Sequence, residues 1–203
     1  VVEIVFAVAI TFILTTLAVY NLGARKKLMA QDLQAIQVKD FMNDAATRAL
    51  TMRRGFRVQV DYTDGKLLLI DENGSGPGDD TLAREVLLTG DVKTGPALPT
   101  GLNATGLPNY SALPTETDEG GYRNGSGNII SGHQVWTARF RSDGTVTNRQ
   151  GVVSSGTLYL WPPKSAEEPN RPGNNSLVRA ITVFGPGGGI KLWRYNGTQF
   201  ANL

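Results

Sequence analysis

The stretch that decides the fold is the first one, Val1 to Leu22: VVEIVFAVAITFILTTLAVYNL. It holds one ionisable side chain, Glu3, and neither Pro nor Gly. About 20 helical residues rise about 30 Å, the thickness of a bilayer's hydrocarbon core, so the segment reads as a membrane-competent helix. It does not read as a cleavable secretory signal, because its apolar run is too long and no small-residue cleavage pattern follows. Thr11, Thr15 and Thr16 can return their hydroxyls to the helix backbone and so are tolerable in lipid. Glu3 is costly on such a surface unless it reaches an interface, protonates or meets a cation.

Working outward, helical spacing resumes directly after Gly23. Met29, Leu33 and Ile36, then Phe41, Ala45, Ala49 and Met52 recur every three or four residues. Arg53 and Arg54 suit a helix C-terminus and Gly55 a stop. One long helix is therefore expected from Val1 to about Arg54, its amphipathic half laying an apolar stripe on a sheet. Ala24 to Arg57 carries eight basic and three acidic residues in a chain of net charge +2. Charges on the wet faces of a helix account for that stretch. By the positive-inside bias, Arg25, Lys26 and Lys27 after the span would leave the C-terminal part in the cytoplasm.

From Gly55 the period changes to two. FRVQVDY, Asp64-Gly65 and KLLLI form one hairpin signal; HQVWTARF, Ser142-Asp143-Gly144 and TVT form a second. GTLYLW, LVRAITVF and GIKLWRY read as strands, with Asn196-Gly197 turning the chain toward TQF, and a strand is placed over Glu85 to Leu88. Gly90 to Gly132, rich in Gly, Pro, Asn, Thr and Ser, reads as long surface excursions. The fold class expected is α+β. A long N-terminal helix, apolar half plus amphipathic half, packs on an antiparallel β-sheet or sandwich with long loops. The divisions are an apolar membrane or filament-core helix over 1–23, the amphipathic half over 24–54 and a β-rich head over 55–203. Trp136, Trp161 and Trp193 are expected as anchors of the sheet.

Composition removes most enzyme chemistry. Of 203 residues none is Cys and one is His, so thiolate sites, disulfides and His-dependent triads are short of parts. His133 reads as an ordinary strand-end residue, and no enzyme is expected. Asp71, Asn73, Ser75 and Asp79 match the first half of an EF-hand loop, but Leu82 stands where the closing Glu would be. A plain polar turn is expected there, with no cofactor, and Ca²⁺ as the side alternative. Six N-x-S/T sequons occur at Asn73, Asn103, Asn109, Asn124, Asn174 and Asn196. Glycosylation and turn chemistry both fit them. Arg53, Arg54 and Arg57 could touch DNA, but no interleaved aromatic platform accompanies them, so nucleic acid is not an expected partner.

Val2-Glu3-Ile4 and the run Val5 to Val19, leading into an amphipathic half and a β domain, resemble the type IV pilin and pseudopilin family. The stretch Ala45 to Gly55, the hairpin Phe140 to Gly144 and the strands Arg179 to Phe184 and Gly189 to Arg194 resemble its subfamily of type II secretion minor pseudopilin H and related minor pilins. In that family the methylated N-terminal residue stands four positions before the Glu, which places the mature start two residues before Val1. The helix-melting Gly and Pro of many bacterial pilins are here Phe12 and Tyr20, and the C-terminal disulfide loop is absent. The resemblance implies a precursor cut by a prepilin peptidase and held in the inner membrane. Pilus assembly machinery would then draw it into a helical homopolymer, an extracellular filament at the cell surface. It implies that Glu3 meets the N-terminal amine of a neighbour and sets register, with Val5, Val8, Phe12, Leu14 and Leu17 packing the filament core. Because a subunit at the very tip needs no such partner, Glu3 favours the major pilin. The alternative is a low-copy minor pseudopilin or minor pilin priming a type II secretion or DNA-uptake pseudopilus.

Overall fold

The computed structural model describes residues 2–72, 79–110, 113, 115–118 and 121–203, and within the helix the side chains of 8, 10–16 and those from 29 onward. One α-helix, α1, runs Val2–Met52. It ends two residues earlier than expected, and the residue that turns the chain out is Arg53, with φ 54°, in the left-handed region usually left to Gly. Gly55 has a different duty. It opens the first strand, where a Cβ would stand 2.8 Å from Glu72 Oε2.

Among the described residues thirteen strands follow. They are β1 Gly55–Asp61, β2 Lys66–Glu72, β3 Thr81–Leu87, β4 Lys93–Gly95, β5 Thr115–Thr117, β6 Tyr122–Arg123, β7 Ile129–Ile130, β8 Gln134–Phe140, β9 Val146–Thr147, β10 Gly156–Trp161, β11 Arg179–Phe184, β12 Gly189–Tyr195 and β13 Phe200–Asn202. An eight-stranded sheet has the order β5-β8-β1-β2-β3-β6-β7, with β9 paired to β8. All its pairings are antiparallel except β3 with β6. A five-stranded sheet has the order β13-β12-β11-β10-β4. The three hairpins stand where the Asp-Gly and Asn-Gly signals put them, joining Asp61 to Lys66, Phe140 to Val146 and Tyr195 to Phe200 in register.

The helix packs on both sheets, and one core joins all three. Val38, Phe41, Met42, Ala45 and Ala49 lie against Phe56, Val58, Val60, Trp136 and Phe140 of the larger sheet and Leu158, Leu160, Ile181 and Val183 of the smaller. The upper part of the expected stripe is wrong. Met29, Leu33 and Ile36 are exposed, and Gln31, Gln34 and Ala35 are buried instead; at the other end Met52, the last residue of the helix, is exposed as well. The reason is angular: at about 100° per residue, Leu33, Met29 and Ile36 lie about 80°, 120° and 140° to one side of Phe41, whereas 34, 38, 31 and 35 lie about 20°, 60°, 80° and 120° to the other, the side that meets the sheets. The buried line continues upward through 38, 35, 34 and 31.

Gly90 to Gly132 is also corrected. It supplies β4 to β7, and part of it folds over the outer face of the larger sheet. There Tyr122 and Ile130 cover Leu68 and Ile70, while Asp118 and Gly121 cover the polar side chains of β1. The alternation in FRVQVD thus has both faces buried, apolar toward the helix and polar toward this cover. Trp136 and Trp161 are buried and Trp193 half-buried, as anchors should be; the indoles of the last two donate to Pro169 O and Thr182 Oγ1.

Candidate functional site: the exposed half of the helix

The helix has two unlike halves. Between residues 31 and 49 one face is sealed against the sheets. Residues 8 and 10–16 are all exposed. Seven consecutive helical residues sweep almost two full turns, so no direction around the helix is covered by the head. Val8, Ile10, Phe12, Ile13 and Leu14 present apolar surface there, with Phe12 74% exposed. Two of the three threonines in this stretch, Thr15 and Thr16, behave as a membrane or filament core requires. Thr15 Oγ1 donates to Thr11 O at 2.7 Å and Thr16 Oγ1 to Phe12 O at 2.8 Å, so neither hydroxyl needs an outside partner. Among the described residues no helix is long and apolar enough to cross a membrane. The side chains of Glu3, Val5 and Leu17 lie outside the described residues, so of the expected assembly set the structure places Val8, Phe12 and Leu14.

The exposed apolar line continues beside the head through Met29, Leu33 and Ile36. At its lower end is an open groove of about 240 Å³ lined by Asp32, Ile36, Arg179, Leu192, Arg194 and Leu203. Arg179, 1% exposed, is bound to Asp32 at 2.7 Å and donates to Ser176 O and Val178 O. Its burial pulls the guanidinium below its usual range against the pull of Asp32. This pair ties the smaller sheet to α1, and nothing in the sequence pattern marked it.

A second charged cluster lies under the cover of the larger sheet. Arg57 reaches Glu72 at 3.3 Å, Asp80, and Asp118 at 3.8 Å, and donates to Gly121 O at 2.6 Å. Arg139 joins Glu72 and Glu116, each at 3.2 Å. Burial raises the Asp80 carboxyl above its ordinary range, outweighing the lowering by Arg57. Arg57 is therefore a buried tie between β1 and two loops, not a surface contact for DNA. Arg54 is held by Asp71 at 2.5 Å.

Asp71 is thereby committed to an ion pair, Asp79 is exposed, and Asn73 and Ser75 lie outside the described residues. Among the described residues the group whose spacing could hold a metal ion is another one, Asp61, Asp64 and His133, with ligand atoms within 4.8 Å of one another. His133 stands at the start of β8, as its strand-end reading has it, and gains a carboxylate partner there: its Nδ1 is 2.6 Å from Asp61 Oδ2. The other Asp61 oxygen accepts from the backbone of Thr63 and Asp64. Each Asp61 oxygen thus has protein partners, and the trio closes the first hairpin onto the start of β8. Of the sequons, Asn103, Asn109, Asn174 and Asn196 are exposed and Asn124 half-buried, while Asn73 lies outside the described residues. Asn103, Asn124, Asn174 and Asn196 each accept a backbone N–H two residues on, which is turn chemistry.

No protein-family model and no curated protein matches the chain. Two solved structures are similar to it, both of the minor pseudopilin EpsH from the type 2 secretion system of Vibrio cholerae. One is 14% identical with a TM-score of 0.42, covering 79% of this chain and 94% of that one. The other, a crystal structure, is 14% identical with a TM-score of 0.43, covering 80% and 92%.

Proposed function

We propose that the chain is a structural component of a pilus-like or pseudopilus filament, entering it through α1. One observation carries the reading: residues 8 and 10–16 are exposed on every side of a helix whose lower half is sealed into the head. Apolar surface of that kind must be removed from water by lipid or by other helices. A bilayer serves before assembly and neighbouring subunits serve after it. On this reading the chain is held in the inner membrane, cut and methylated by a prepilin peptidase, and drawn into the filament without catalytic work of its own. The finer assignment to a major pilin rested on Glu3, whose side chain lies outside the described residues. We therefore put the pseudopilus component first and the polymerising major subunit second.

Filaments sheared from cells, imaged and analysed by mass spectrometry, decide between them. A trace band, with filaments lost when the chain is deleted, makes it a low-copy priming subunit; a dominant band makes it the major one. Filaments that neither contain nor need it sink both. Glu3→Gln is expected to leave membrane insertion intact and to reduce incorporation, because a carboxylate pair across subunits penalises wrong registers. Undiminished incorporation of that variant removes the register role.

A further inference from the structure

We propose that Asp61, Asp64 and His133 bind one divalent transition-metal ion of the Zn²⁺ class, which ties the first hairpin to the start of β8. The inference is independent of the filament reading. Backbone pairing brings the donors together. Asp61 ends β1, Asp64 lies in the turn between β1 and β2, and His133 directly precedes β8, whose Val135 is in register with Asp61. Tyr62 N–H donates to Gln134 O at 2.9 Å and Gln134 N–H to Thr63 Oγ1 at 3.0 Å, which holds the turn against that strand.

Asp61 has the arrangement of a metal-bound carboxylate. Its Oδ1 accepts from Thr63 N–H at 2.8 Å and Asp64 N–H at 3.1 Å, which fixes the group's orientation and leaves Oδ2 facing the imidazole. The side chain is 1% exposed, and among the described residues neither Lys nor Arg is paired with Asp61 or Asp64. A buried carboxylate needs a cation or a proton. A protonated His133 answers one of the two charges; a divalent ion answers both. Tyr122 registers the same surplus. Burial first, then the charges of Asp61, Glu85, Asp64 and Asp118, push its phenol up to about 12.

The donor set selects the ion. One imidazole nitrogen and two carboxylates suit Zn²⁺ and its first-row neighbours, whereas Ca²⁺ takes about six to eight oxygens. Tetrahedral bonds of about 2.0–2.1 Å set two ligand atoms about 3.3 Å apart. Nδ1 and Oδ2 now stand 2.6 Å apart, and His133, whose side chain is 22% exposed, has room to withdraw by the difference. Asp64 is exposed and free to swing inward, and water completes the fourth position.

The sequence makes the test clean, because His133 is the one His and Cys is absent. The untagged full chain in detergent, stripped with EDTA, is titrated calorimetrically with Zn²⁺ and then heated with and without the ion. The expected result is one ion per chain and a melting temperature raised by about 5–10 °C at a free Zn²⁺ concentration 100 times Kd, with Ca²⁺ producing neither. Asp64→Ala and His133→Ala should each weaken Zn²⁺ binding at least about 100-fold, since loss of a supporting partner alone costs about 10–100-fold. Asp64→Ala, at an exposed position, should keep the metal-free melting temperature of the native chain, so that its lost binding is not lost folding. A native chain that binds no Zn²⁺ overturns the proposal. So does Zn²⁺ binding that survives either substitution, which marks an adventitious ion on other carboxylates.

Discussion

Arg179 and Arg57 carry charge to places that water does not reach, and each is held by partners from distant parts of the chain. For Arg179 the partner is Asp32, 147 residues earlier, and two carbonyls that a neutral side chain would leave unsatisfied. Arg179→Met should cost about 1–3 kcal/mol, the penalty for buried acceptors left without donors. Asp32→Ala should be at least as harmful, because it leaves the buried guanidinium without its carboxylate. Chemical denaturation of both variants and the double variant checks this; single losses that simply add would show that the two residues do not act as a pair. Asp80 gives a pH signature of unusual sign. Its carboxyl is raised by burial from the ordinary 3.8, so just above that pH the native state holds a proton that the unfolded chain has lost. Stability from this group is therefore greatest below the unfolded value and falls as pH rises through the folded one. Denaturation midpoints measured from pH 3.5 upward should show this decline in the native chain and lack it in Asp80→Asn. An identical slope in the two would show that Asp80 does not titrate abnormally.

At the level of elements, α1 is one helix with two surfaces, and two substitutions should separate them. Phe41 is fully buried in the core shared by both sheets, and Phe41→Ala should cost about 3–5 kcal/mol in unfolding free energy. Leu33, 67% exposed, should cost under about 0.5 kcal/mol on replacement by Ala. Equal losses at the two positions would mean that the helix is docked differently. The hairpins and most strands were legible in the sequence because period-two runs bounded by Asp-Gly or Asn-Gly leave few alternatives; FRVQVDY and KLLLI became β1 and β2 almost residue for residue. The exposed stripe Met29, Leu33 and Ile36 was misread because apolar spacing marks a face without saying what covers it. Gln31 and Gln34 sit on the covered side, where composition alone would have put solvent. The charged tie at Arg57 was illegible for another reason. Its partners come from β2, from Asp80 and from the turn at 118–121, and no local pattern brings those together. Of the candidate assembly set, the apolar character of Val8, Phe12 and Leu14 could be read directly, whereas the groove beside α1 exists only once the helix meets β11, β12 and Leu203.

For the molecule as a whole, the two halves of α1 imply two separable properties. The head owns its core: every buried side chain described on the helix lies at or after Gln31, and the sheets close on the segment from there to Ala49. The exposed half adds nothing to that core and supplies the surface that water rejects. Removing residues 1–28 should therefore give a monomer in plain buffer that keeps the Arg179–Asp32 tie and the packed lower helix. Its melting temperature should lie within a few degrees of the full chain's, since under about 1 kcal/mol is at stake. The full chain should need detergent, lipid or its own kind to stay dispersed. Light scattering and thermal denaturation of the two side by side decide the matter. A truncated head that unfolds would mean that the upper helix is part of the fold. A full chain that stays monomeric without detergent would remove the need for any neighbour, and with it the physical reason for assembly.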